Sequence, residues 1–106
     1  MNLCRSALLA ATLPLVLSAC SGGAPSKSQA EGALVRQAET ALGRMGSVKS
    51  VENFGLAGCK EDRVSDGYRC DVSGHIVLNL SGMEQRRPLS GAVRFSKASG
   101  EWTAHR

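Results

Sequence analysis

The chain has 106 residues, a formal net charge of +4, four cysteines and only four aromatic side chains, counting one Trp, one Tyr and two Phe. That balance argues against a nucleic-acid binder, which normally shows a strong basic stripe or stacking aromatics. The length leaves room for one small domain.

Met1 to Arg5 carries one positive charge, and Ala7 to Leu17 follows as a mostly apolar run broken only by Thr12 and Pro14. The run is too short for a membrane-spanning helix, which takes about 20 apolar residues. It fits the apolar core of a secretory signal. Small residues, Ser18 and Ala19, then precede Cys20. Leu17-Ser18-Ala19-Cys20 resembles the lipobox of bacterial lipoproteins. The resemblance implies cleavage before Cys20, a thioether-linked diacylglycerol on it, and usually acylation of the new N-terminus.

Two or more acyl chains anchor a protein stably, so the expected product is tethered to the membrane rather than spanning it. The lipoprotein resemblance further implies, for a two-membrane bacterium, that Ser21 in place of Asp after the cysteine sorts the protein to the outer membrane, with the domain in the periplasm. Residues 1–19 are thus expected to be a discarded signal peptide, with Cys4 in it. Residues 20–27 are read as a lipidated flexible linker, because SGGAPSK has linker composition. Residues 28–106 are read as one small domain. Loss of the leader removes the single charge of Arg5, and the mature chain is only mildly basic.

Cys59 and Cys70 remain in the domain. An exported chain with an even cysteine pair favours a disulfide, which helps a domain of this size whose core alone is marginal. A metal site with His75 and His105 is the competing reading, but C-x10-C-x4-H-x29-H follows no zinc spacing. No metal and no cofactor are expected.

Ser28-Gln29-Ala30-Glu31 reads as a capping box opening a helix. Leu34, Ala38, Ala41, Leu42 and Met45 then form one apolar stripe, and Gly46 is placed just past the helix end. After Gly46 the period becomes 2. From Tyr68 to Leu80, one face carries Tyr68, Cys70, Val72, Gly74, Ile76, Leu78 and Leu80. The other carries Arg69, Asp71, Ser73, His75, Val77 and Asn79, as in a half-buried strand bent at Gly74. Leu89 to Ser96 repeats the alternation, Trp102 to Ala104 makes a short last strand, and a weaker strand covers Val51 to Cys59. Turns are expected at Ser81 to Arg87 and Lys97 to Gly100. Asp66-Gly67 is a two-residue hairpin signal, but such a turn pairs Cys59 with Gly74. A Cys59–Cys70 disulfide instead puts Asp66-Gly67 in the flank of a longer loop centred between Val64 and Ser65.

The expected fold is α+β: one N-terminal amphipathic helix packed on a three- to four-stranded antiparallel meander, stapled by one disulfide. GCKEDRVSDGYRCDV and AVRFSKASGEWTA resemble pieces of small cystatin-like and NTF2-like exported domains, in which a long helix precedes a curled antiparallel sheet. That resemblance implies a fold and transfers no catalytic residue.

Catalytic motifs are missing from the sequence: there is no Gly-rich phosphate loop, C-x-x-C, H-E-x-x-H or G-x-S-x-G. A Ser73–His75–Asp71 relay fails on geometry, because residues two apart on a strand lie about 6.5 Å apart and project in parallel. The expected protein is not an enzyme. The candidate binding face is the open side of the sheet, Arg69, Asp71, His75, Val77, Asn79 and Arg94, joined by Thr103 and His105 if the last strand is in register. Cross-strand pairs of Asp71 with Arg69 or Arg94 are expected there. Arg86 and Arg87, beside Pro88, form a candidate basic patch for lipid headgroups or an acidic partner.

The sequence therefore points to an outer-membrane lipoprotein that acts as a non-catalytic binding module on an envelope protein. The alternatives are a structural accessory subunit of an envelope or secretion complex, and an inhibitor of a wall-degrading hydrolase working through the Lys60–Gly67 loop.

Overall fold

The computed structural model describes residues 23–106. The expected signal peptide, residues 1–19, and the expected lipidation site Cys20 lie outside the described residues. Helix α1 (Lys27–Leu42) is followed by a 3-10 turn (Gly43–Met45) and by strands β1 (Gly46–Glu61), β2 (Tyr68–Leu80), β3 (Met83–Ala98) and β4 (Glu101–His105). All neighbours pair antiparallel in the order β1-β2-β3-β4. The expected α+β class and the four-stranded meander are what is found. The helix, however, begins 26 residues into the chain, so it opens the described part and is not N-terminal in the chain.

The helix starts earlier than the Ser28 capping box predicts. Ser26 is the N-cap: its Oγ accepts from Gln29 N–H at 3.2 Å, while Gln29 Oε1 accepts from Ser26 N–H at 2.8 Å. Gln serves at the third helical position as well as Glu, and such a cap contributes about 1 kcal/mol. Pro25 and Ala30, both buried, occupy the two positions of a hydrophobic staple around that cap. Two residues read as linker, Ser26 and Lys27, are thus part of the helix start. The helix also stops sooner than Gly46. Gly43 takes φ +58° as the C-cap and its N–H reaches Glu39 C=O. Met45 consequently leaves the stripe and is 71 % exposed.

Ala30, Ala33 and Leu34 meet Cys70, Val72, Ile76, Leu78, Leu89, Val93, Phe95, Trp102 and Ala104 in a single core. The small alanine side chains let α1 lie close to the sheet. The helix packs chiefly on β1 and β4, the two edge strands, so the sheet curls around it.

Cys59 and Cys70 are disulfide-bonded. Glu61 pairs with Tyr68, which leaves Asp62 to Gly67 as a six-residue loop closed by Asp62 N–H donating to Gly67 C=O at 2.9 Å. The disulfide therefore prevails over the Asp66-Gly67 hairpin signal, and the loop is centred between Val64 and Ser65. Gly74, where a bend in β2 is expected, takes φ +115°. A Cβ there would collide with the backbone oxygens of Glu52 and Asn53, at a bulge in β1 where Asn53 itself has φ +51°.

β3 is longer than expected. Met83 to Arg87, read as turn, is strand, because the β2–β3 connection is only Ser81-Gly82 with φ +53° and +83°. Ser99-Gly100 closes β3–β4 with the same pair of positive φ values, +54° and +79°. Both are two-residue type I′ hairpins. The repeated Ser-Gly dipeptide was the available sequence signal.

Candidate functional site

β4 is in register with the open face: Arg94 pairs with His105 and Ser96 with Thr103. The six predicted face residues do lie on that side of β2 and β3, but most are occupied within the fold. Arg69 binds Asp62 at 2.9 Å and Arg94 donates to the Asp66 carbonyl at 2.6 Å, so both cations brace the 62–67 loop. The expected Asp71 pairs are not formed; Asp71 makes no ion pair among the described residues. The reason is reach: the loop folds back onto both arginines and supplies its own acceptors. Asn79 Oδ1 caps the Ser81-Gly82 turn by accepting from Gly82 N–H.

The other half of the face is strapped. Arg86 on β3 binds Glu52 on β1 at 2.7 Å, and Lys49 on β1 binds Glu84 on β3 at 2.6 Å. Both pairs cross β2. In register terms the first passes over Val77, which faces Arg86, and His75, which faces Glu52. Val77 is consequently 3 % exposed, not the open contact that its alternation implies. His75 is half-buried, and its Nδ1 has no hydrogen-bond partner among the described residues. Neither Ser73 nor Asp71 engages that nitrogen, so the side chains do not assemble a relay. The two thiols weighed for a metal site are consumed by the disulfide, and His105 Nε2 is hydrogen-bonded to Ser96 Oγ at 2.7 Å.

Asp62 has its own chemistry. Its side chain is only 6 % exposed, and its carboxylate accepts from Val64 N–H and from Arg69, each at 2.9 Å. The backbone N–H of Val64 first, then Arg69, hold its carboxyl below the ordinary 3.8. The folded state thus binds this proton less readily than the unfolded chain does. The associated stability is complete above the unfolded pKa and is lost as pH falls through the lower, folded one. Asp62→Asn will be less stable than the native protein at pH 7, and the gap will close below about pH 4, the ordinary carboxylate range. Urea unfolding of both proteins at pH 7 and pH 3 measures this.

Arg86 and Arg87 do not form one patch. Successive residues on a strand point to opposite faces, so Arg86 straps the open face while Arg87 turns to the helix side. There β4 is too short. It pairs only with Arg94–Ala98, and β3 runs on to Met83 without a strand beyond it. A groove of about 350 Å³ remains between α1 and β3, lined by Ala38, Ala41 and Leu42 of the helix and Ile76, Leu78 and Leu89 of the sheet. Arg87, Pro88 and Arg106 complete its lining. Arg87 bonds only the neutral Gln85, and neither Arg87 nor Arg106 has an ion pair among the described residues.

The hairpins fix which backbone groups face this gap. In a two-residue hairpin the closing pair is hydrogen-bonded, so Ala98 and Ser96 bond β4 whereas Met83 and Gln85 bond β2. With no register shift along β3, residues 84, 86, 88, 90 and 92 turn their backbone to the free edge. Pro88 falls on that set, where its missing N–H removes no ladder bond within the sheet. It also interrupts any added ladder, as edge prolines and charges do.

No helix among the described residues is long and apolar enough to cross a membrane. No family profile, curated protein or solved structure matches this chain.

Proposed function

We propose that this chain is a lipid-anchored, non-catalytic binding module of the bacterial cell envelope. It is acylated at Cys20, held on the outer membrane facing the periplasm, and engages an envelope protein through the groove between α1 and β3. The single observation behind the binding reading is that groove: a strip of aliphatic side chains left uncovered where β4 stops, with two cations unpaired within the described fold. The anchor rests on Leu17-Ser18-Ala19-Cys20 at the end of an apolar leader.

The chemistry selects the occupant. Arg87 and Arg106 suit carboxylates, and the groove between them suits an aliphatic side chain, so the partner presents an acidic segment with an apolar residue in it. A second copy is the poorer occupant: docked groove to groove it would present the same two cations, Arg87 and Arg106, and like charges repel. Pro88 also prevents a continuous ladder, so side chains rather than backbone hold the partner.

Photo-crosslinking in the native envelope tests this, with the reactive residue at Ala41 in the groove and at Asp71 on the open face. The expected result is a discrete adduct from Ala41, mapped to an acidic segment and lost with Arg87→Glu plus Arg106→Glu. An adduct from Asp71 alone would return the site to the open face. An Ala41 adduct indifferent to the charge reversals overturns the acidic partner.

A further inference from the structure

The described chain begins at Gly23, and that residue already lies on the fold. A Cβ at Gly23 would overlap the hydroxyl of Tyr68. Pro25 is buried and Ser26 caps α1. Only Ser21 and Gly22 therefore separate Cys20 from chain that is packed in place. Three backbone steps reach at most about 11 Å. Tyr68 is the first residue of β2 and directly follows the 62–67 loop. A lipid on Cys20 thus holds that end of the domain against the bilayer.

The loop at that end has an unusual tip. Val64 is 92 % exposed, the most exposed of the large apolar side chains among the described residues. The loop beneath it is braced: Asp62 N–H donates to Gly67 C=O, Asp62 accepts from Val64 N–H, and Arg69 and Arg94 tie down both of its flanks. The fold therefore fixes a bare aliphatic side chain outward instead of letting it collapse inward. The opposite end carries the other two exposed large apolar side chains of the described residues, Met45 and Met83. The thirteen residues of β2 place that end roughly 40 Å away at 3.3 Å per residue.

We infer that the pole formed by the 62–67 loop is the surface laid on the membrane, with Val64 at the lipid headgroup layer and the Met45–Met83 end directed away from it. This rests on the lipidation of Cys20 proposed above. Charge is not what holds the contact. Lys60 to Gly67 contains two cations and three carboxylates, so the tether and the apolar tip orient the domain, and salt should leave the orientation unchanged. The groove between α1 and β3 then lies beyond the pole, open to a partner in the periplasm.

The test uses the full acylated protein in vesicles of phosphatidylethanolamine and phosphatidylglycerol. With Cys20 in a thioether and Cys59–Cys70 oxidised, Val64→Cys supplies the sole free thiol for an environment-sensitive fluorophore. Met83→Cys reports the other end, and Ser65→Cys is a second loop position should Val64→Cys fold poorly. Quenching by nitroxide-bearing lipid is expected to be at least threefold greater at residues 64 and 65 than at 83, at both low and high salt. Equal quenching, stronger quenching at 83, or none at all in protein whose intact mass shows the diacylglyceryl group overturns the orientation. A mass lacking that group overturns the anchor on which it depends.

Discussion

Truncating Phe95 to alanine will cost about 3–5 kcal/mol, the range for removing a buried aromatic ring and leaving its cavity. Phe95 is 0 % exposed and is the largest of the fully buried side chains. It sits on β3 between Tyr68 on β2 and Ala104 on β4, so a void there loosens three strands together. A domain of this size holds together by only about 4–13 kcal/mol, and the variant will be close to unfolding at 37 °C. Urea denaturation followed by the fluorescence of Trp102, the single tryptophan, reads the change directly. Phe95→Leu keeps most of the volume and should lose far less, about 1.5 kcal/mol at most on the scale of apolar exchanges. A Phe95→Ala loss below 1 kcal/mol would mean that the neighbouring strands collapse onto the gap.

Removing both cysteines as Cys59→Ala with Cys70→Ala will cost about 3 kcal/mol. The bond spans a sequence separation of 11, and in the chain-entropy account a closed loop of that length restricts the unfolded chain by this amount. The effect arises chiefly in the unfolded state, because Cys70 is already in the core at 1 % exposure and alanine retains part of its packing. The paired substitution also avoids leaving a lone thiol. Unfolding midpoints of the native protein with and without reductant, set beside the double variant, check the value. Reduced native protein and the double variant should agree within about 1 kcal/mol; a larger difference would show that lost packing at Cys70, and not chain entropy, dominates.

Much of this fold is legible locally. The β2 boundaries, Tyr68 to Leu80, follow from strict alternation over thirteen residues, and the disulfide overrides a competing Asp-Gly turn because the two imply incompatible registers. Where one rule is strong and uncontested, the chain obeys it. The errors lie where two signals compete. Ser26 and Ser28 both offer a cap, and the chain takes the earlier one, with Pro25 and Ala30 buried on either side of it. Gly43 and Gly46 both offer a helix end, and the chain stops at the first. Met83 to Arg87 shows no apolar alternation because the residues there are exposed on both faces, yet the Ser81-Gly82 turn feeds them into the ladder.

The candidate site was less legible than the fold. Alternation correctly assigns Arg69, Asp71, His75, Val77, Asn79 and Arg94 to one side of the sheet, but it carries no information about what crosses that side. Arg86–Glu52 and Lys49–Glu84 join residues more than thirty positions apart, and only the three-dimensional register brings them over β2.

The sequence by itself determined the α+β class, the disulfide partners and the inward and outward faces of β2. These rest on periods of 2 and 3.6 residues and on short-range chemistry. Only the tertiary structure decided that Val77 is covered, that Arg86 and Arg87 part company, and that a groove opens where β4 ends. Each of those depends on the relative lengths of strands that pair across the sheet, and a length mismatch between partners is not a property of either strand alone.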